Sequence, residues 1–124
     1  MSVRIKGEGD FPKGTPAIGL EENGRLIAGV CYTNYDGTGI MMNIASEGKH
    51  WLNRAFLRAA FSFPFNSLGV RRVSGLVRTD NPDAQRFDEH LGFKREGLIR
   101  EGDDDGCDLI LYGMLKSECR FLGV

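Results

Sequence analysis

Hydrophobic positions along the chain change their period several times, and each change marks an element. AIGLEE (17–22) and RLIAGVCYTN (25–34) read as extended segments, and Asn23-Gly24 between them is a strong two-residue hairpin signal. In the second segment both alternating sets are apolar or small, as in a strand covered on both faces. Asp36-Gly37 turns the chain again into a third strand, GIMMNIA (39–45), which completes an antiparallel meander. From His50 to Phe63 the step lengthens to three and four residues. Leu52, Ala55, Phe56, Ala59, Ala60 and Phe63 form the apolar stripe, with Asn53, Arg54, Arg58 and Ser62 mainly on the other side, so an amphipathic helix is expected to end near Pro64.

VRRVSGLVR (70–78) is a further strand, and NPDAQRFDEHLG (81–92) is a short, sharply bounded helix. Asn81 caps it, Pro82 fits the first turn where its missing N–H is no loss, and Gly92 supplies the left-handed stop. Ala84, Phe87 and Leu91 share one face and are expected to be buried. FKREGLIRE (93–101) and CDLILYGML (107–115) close the domain as strands joined by the acidic loop GDDDG, expected to be a solvated hairpin connection because calcium-loop ligand spacing is absent. Residues 1–16 are an N-terminal arm or edge strand, with VRIK as their pairing segment, and 17–124 form a single domain. The order is three strands, helix, strand, helix, two strands, an α+β arrangement.

Charge and composition narrow the functional class. Sixteen basic against seventeen acidic residues give a net charge of -1, which offers no grip for nucleic acid. Three cysteines without metal-ligand spacing read as reduced thiols, and neither a membrane span nor a signal peptide is written in the sequence, so a cytoplasmic protein is expected.

With the elements in this order, the chain resembles the GNAT superfamily of acyl-CoA-dependent N-acetyltransferases over roughly residues 17–120. The correspondence runs through IMMNIA, EGKHWLNRAFLRAAF, RRVSGLVRTDN and DAQRFDEHLGF. In KREGLIRE, the acidic loop and DLILYGMLKSECR it looks most like the branch of ribosomal-protein alanine acetyltransferases and short acetyltransferase-like proteins of phages and prophages. The resemblance implies a mixed, mostly antiparallel sheet flanked by helices, with the N-terminal helices of fuller members reduced or absent. GIMMNIA and RRVSGLVR are expected to be adjacent and parallel, splaying near Ile44 and Thr79. Acetyl-CoA is the implied cofactor, its pantetheine arm in that gap.

By the same resemblance, backbone groups near Met42 and Ile44 meet the arm from one side and Asn81 from the other. The pyrophosphate falls at Gly48, Lys49, His50, Trp51 and Asn53, at the start of the helix. Here the chain departs from the family, because His50 and Leu52 stand at two positions that are usually glycine. No metal is implied. The implied reaction is direct attack of a primary amine of unknown identity on the thioester, without a nucleic-acid or membrane partner. A catalytically impaired GNAT-like binding or interaction module is the alternative.

The catalytic residues are left open. The tyrosine that often protonates the departing thiolate has its counterpart at Asp88, whose plain reading is a solvent-facing helix residue, and Tyr112 could serve as core, acceptor pocket or relay. Without two N-terminal helices one sheet face is expected to stay uncovered, which points to a homodimer unless the chain begins late.

Overall fold

The computed structural model describes residues 2–6, 17–46 and 53–122. Seven strands form one sheet: β1 (Ser2–Lys6), β2 (Ala17–Glu22), β3 (Arg25–Thr33), β4 (Gly39–Ser46), β5 (Arg72–Arg78), β6 (Lys94–Ile99) and β7 (Leu109–Leu115). Their spatial order is β1-β2-β3-β4-β5-β7-β6. Every neighbouring pair is antiparallel except β4 and β5. This is the mixed, mostly antiparallel sheet expected of the GNAT fold, and β1 is its edge strand beside β2.

Local chemistry sets the meander. Asn23 and Gly24 both take positive φ, 53° and 78°, the combination that reverses a hairpin in two residues. At the next turn Asp36 Oδ1 accepts the backbone N–H groups of Thr38 and Gly39 at 2.9 and 2.8 Å. These bonds hold the Asp36 carboxyl below the usual carboxylate range.

Helix α1 (Arg54–Ser62) starts where Asn53 caps it, its side chain accepting from Phe56 N at 2.8 Å. The buried residues are Phe56, Leu57, Ala60 and Phe61. Leu57 and Phe61 thus replace the exposed Ala55 and the half-buried Ala59 and Phe63 of the expected stripe. Nor does the helix stop at Pro64. It widens into a π turn over Phe63–Ser67, closed by Leu68 N donating to Phe63 O at 3.0 Å. Pro64 has no N–H for the carbonyl of Ala60, and the buried Tyr32 hydroxyl of β3 donates to that carbonyl instead. The proline therefore ties α1 to the sheet.

Helix α2 (Pro82–Leu91) begins with Asn81 accepting from Ala84 N at 3.1 Å and ends at Gly92, φ 112°. Leu91 is buried, whereas Ala84 and Phe87 are half-buried. The Gln85 side chain ties the helix to the end of β5 through the carbonyls of Arg78 and Thr79, both at 3.2 Å. Both helices lie on one sheet face, because Tyr32 reaches α1 and Tyr112 reaches α2 from the same row of the pleat. Val30, Met42, Val73, Val77, Ile110 and Met114 complete the core beneath them. On the other face Leu76, Ile99 and Leu115 are 37, 40 and 44% exposed, and no described helix packs there.

The Tyr32 hydroxyl is stripped of water, which pushes its phenol well above the ordinary range, so it acts here as a neutral donor. Tyr32→Phe should cost about 1–3 kcal/mol, since it leaves the Ala60 carbonyl buried without a donor. Urea unfolding should show this as a lower midpoint with an unchanged slope.

Candidate functional site

The parallel ladder between β4 and β5 holds three register pairs, Gly39 with Arg72, Ile40 with Val73 and Met41 with Ser74. Beyond them the strands part. The gap opens at Met42 and Gly75, earlier than the expected Ile44 and Thr79. Each strand stays held by its antiparallel neighbour, β4 by β3 as far as Ser46 and β5 by β7 as far as Arg78. The edges of 42–44 and 75–78 that face the gap therefore carry no ladder bonds to each other, and an extended ligand with amide groups could pair with them.

This gap is a cavity of about 240 Å³. Met42, Asn43 and Ile44 form one side, Gly75, Leu76, Val77 and Arg78 the other, and Asn81, Ala84, Phe87, Asp88 and Phe93 the base. Expected site residues Met42, Ile44 and Asn81 thus meet in one cavity. Asn53 does not line it; its side chain caps α1. Gly48, Lys49, His50 and Trp51, with Leu52, lie outside the described residues.

Asn81 divides its amide between two tasks. Its oxygen is committed to the Ala84 N–H, which leaves the amide NH₂ group as what it offers the cavity.

Asp88 corrects the reading of a solvent-facing helix residue. It is half-buried on the cavity wall, and its Oδ2 lies 3.5 Å from where a Cβ would stand on Gly75. A glycine inside a strand is a signal for such close approach. Burial, with a smaller contribution from the Glu89 charge, pushes the Asp88 carboxyl up to about 7.

Tyr112 sits opposite Gly75 in the β5–β7 register but does not line the cavity. Its hydroxyl donates to Glu89 Oε2 at 2.6 Å and receives Arg95 Nη2 at 3.3 Å. Burial and the Glu89 bond raise its phenol above the ordinary value. The acidic loop is the largely exposed hairpin connection expected between β6 and β7, and it makes a further contact. Asp103 and Asp105 bind the Arg78 guanidinium at 2.6 and 2.8 Å, and Asp80 joins them at 2.9 Å, so the loop is a clamp on the end of β5. The Arg78 interaction is the largest cause holding the Asp80 and Asp105 carboxyls below their usual range. Among the described residues no cluster of metal-ligating side chains occurs, and no helix is long and apolar enough to cross a membrane.

The fold as a whole has counterparts among known proteins. A spermidine N-acetyltransferase SpeG mutant from Vibrio cholerae superposes with a TM-score of 0.77 at 16% identity, covering 99% of this chain and 98% of that one. The chain has the GNAT N-acetyltransferase fold. A chimera of the Vibrio cholerae enzyme with hSSAT gives 0.69 at 22% identity, over 88 and 70% of the two chains. In sequence, an uncharacterised N-acetyltransferase YoaA of Bacillus subtilis is 32% identical over 56 residues, 43% of this chain. That match spans 32% of the Bacillus protein, about a third of its length. No family model matches the sequence.

Asp88 links stability to pH. Its ordinary value is 3.8, so between about pH 4 and 7 the folded state keeps a proton that the unfolded chain releases, and stability falls as pH rises through that window. Asp88→Asn removes this loss. Its melting temperature should match wild type near pH 4 and exceed it by several degrees at pH 8, read by calorimetry across that range.

Proposed function

We propose that the protein is an N-acetyltransferase that moves the acetyl group of acetyl-CoA to a primary amine. The observation that carries this reading is the parting of β4 and β5 after Met41 and Ser74, which leaves two backbone edges without ladder bonds to each other across a cavity of about 240 Å³. The pantetheine arm occupies that cavity, Met42 and Ile44 present backbone groups to its amides, and the Asn81 NH₂ group meets it from the other side. Residues 48–53, ahead of α1, take the pyrophosphate, with Gly48, Lys49, His50, Trp51 and Asn53 as its neighbours.

In the transfer, the neutral amine nitrogen attacks the thioester carbonyl carbon. A C–N bond forms, the C–S bond breaks, and the proton lost by nitrogen is balanced by the one gained by sulfur. The protein's part is to align the reactants and exclude water. The amine reaches the gap from the sheet face that carries no described helix, where Asn43 and Leu76 form the lip. Spermidine is the first acceptor to try, because structural neighbours are spermidine N-acetyltransferases. Peptide α-amines, the acceptors implied by the ribosomal-protein branch, are the second.

A second copy of the chain covering Leu76, Ile99 and Leu115 on the open face would make the working unit a homodimer. Light scattering at tens of micromolar should then give twice the chain mass, and a stable monomer there removes the dimer. The impaired binding-module reading is supported by His50 and Leu52 at positions usually held by glycine.

Acetyl transfer is best followed by mass spectrometry of the acceptor, since Cys31, Cys107 and Cys119 are free thiols and would react with thiol dyes. A new acetylated amine supports the enzyme, whereas acetyl-CoA binding without product across spermidine and peptide α-amines supports the binding module. Asn81 separates fold from function. Asn81→Asp retains a capping oxygen and should keep stability within about 0.5 kcal/mol, yet it should weaken acetyl-CoA by about 1–3 kcal/mol through loss of the NH₂ donor. Asn81→Ala should lose both. Calorimetric titration beside thermal melts checks the pair, and unchanged affinity in Asn81→Asp takes Asn81 out of the site.

A further inference from the structure

Asp88 brings a charge to the cavity wall, and no described residue meets it there with an opposite one. Among the described cavity-lining residues only Asp88 and Arg78 are ionisable, and the Arg78 guanidinium is already held by Asp80, Asp103 and Asp105. No N–H group or cation among the described residues bonds to the Asp88 carboxyl. The ionisable groups on the surrounding elements do not help. On α2, Glu89 is the next residue and repels it, while His90 is exposed. On β7 and β6, the Tyr112 hydroxyl and the Arg95 guanidinium are spent on Glu89, at 2.6 and 3.5 Å. Gly75 of β5 offers only the space that lets the carboxyl in, and the Met42 carbonyl of β4 lies 3.6 Å from that same Cβ position.

Water in the gap is therefore what sustains a carboxylate at this point. A ligand that fills the gap expels that water, and a neutral polyamide chain brings no cation in exchange. The ionised form then loses its solvation, while the neutral acid loses little and gains a donor O–H for an acceptor on the ligand.

We propose that Asp88 makes loading of the cleft proton-coupled: a neutral, amide-bearing chain enters together with one proton, which Asp88 holds as a carboxylic acid in the loaded state. This rests on the reading of the gap as the site of the coenzyme A arm. The empty protein already favours the proton below about pH 7, so uptake on binding is small at pH 5.5 and approaches one proton at pH 8. Affinity declines as pH rises beyond that value. No change in the shape of the site is involved.

Titration calorimetry with acetyl-CoA, in buffers of different ionisation enthalpy, counts the protons directly. Comparing wild type with Asp88→Asn cancels the phosphate titrations of acetyl-CoA itself, which are common to both. At pH 8 wild type should take up close to one proton more than the variant, and between pH 7.5 and 8.5 its Kd should rise by up to about tenfold relative to the variant. Binding by both proteins with equal proton counts and parallel Kd profiles overturns the proton coupling and leaves the cofactor site standing. Failure of both to bind acetyl-CoA anywhere from pH 5.5 to 8.5 overturns the cofactor reading, and the coupling with it. Should Asp88→Asn not fold, the carboxyl ¹³C resonance of Asp88 in wild type gives the same answer. Its titration midpoint should move upward when acetyl-CoA is added, and a midpoint that stays or falls overturns the coupling.

Discussion

The ladder between β4 and β5 closes over only three residue pairs, and the polar backbone edges left beyond it are the constraint around which the rest is arranged. Unpaired N–H and C=O groups are costly once buried, so a gap in the middle of a sheet persists only if water or a ligand satisfies them. Both strands can part because neither depends on the other. β5 keeps seven register pairs with β7, and β4 keeps six with β3. The sheet loses the far end of one parallel ladder and retains two long antiparallel ones. A mixed sheet with its single parallel pair in the middle is thus open at one point without being loose.

The two helices hold that opening from the same side. On α1, the proline that a sequence reading takes as a stop releases the Ala60 carbonyl to a sheet tyrosine, and the helix continues as a wider turn. On α2, Asn81 and Gly92 fix the ends while Gln85 binds the carbonyls of Arg78 and Thr79. Helix and strand end are consequently one unit, and Asp88 faces Gly75 because of it. These contacts act on backbone carbonyls, so they set position more than they set sequence.

What could be read from the residues follows from how local each signal is. Asn23-Gly24, Asp36-Gly37 and the Asn81-Pro82 to Gly92 span act within a few neighbours, and each produced the turn or helix that its chemistry dictates. The strand pairing followed, because short connections leave the meander little choice. Met42, Ile44 and Asn81 were placed from the family resemblance, and the cavity does bring them together. Asp88 was misread for the opposite reason. Its burial comes from β5 across the cavity, and nothing in PDAQRFDEHL tells which aspartate faces a glycine thirteen residues earlier. The stripe on α1 slipped similarly, since Leu57 and Phe61 are buried by the docking angle of the helix, with Phe61 stacked on Phe65 and Phe121.

The acidic loop shows how a distant segment fixes a strand end beside the cleft. Half-exposed ion pairs add little stability, so the three carboxylates on Arg78 matter chiefly for where they hold it. A similar arrangement lies further down β5, where Arg72 binds Glu96 at 2.8 Å across Gly113. A Cβ on Gly113 would come within 2.5 Å of both side chains, so the glycine is what allows that pair to lie flat on the sheet. Both arginines lie on the open face. The pleat itself turns Arg78 away from Asp88, since Arg72, Ser74, Leu76 and Arg78 alternate with Val73, Gly75 and Val77, the residues of the helix face. Among the described residues no cation meets Asp88 in the cleft. The loop GDDDG thus fixes the strand end beside the cleft while lining none of it.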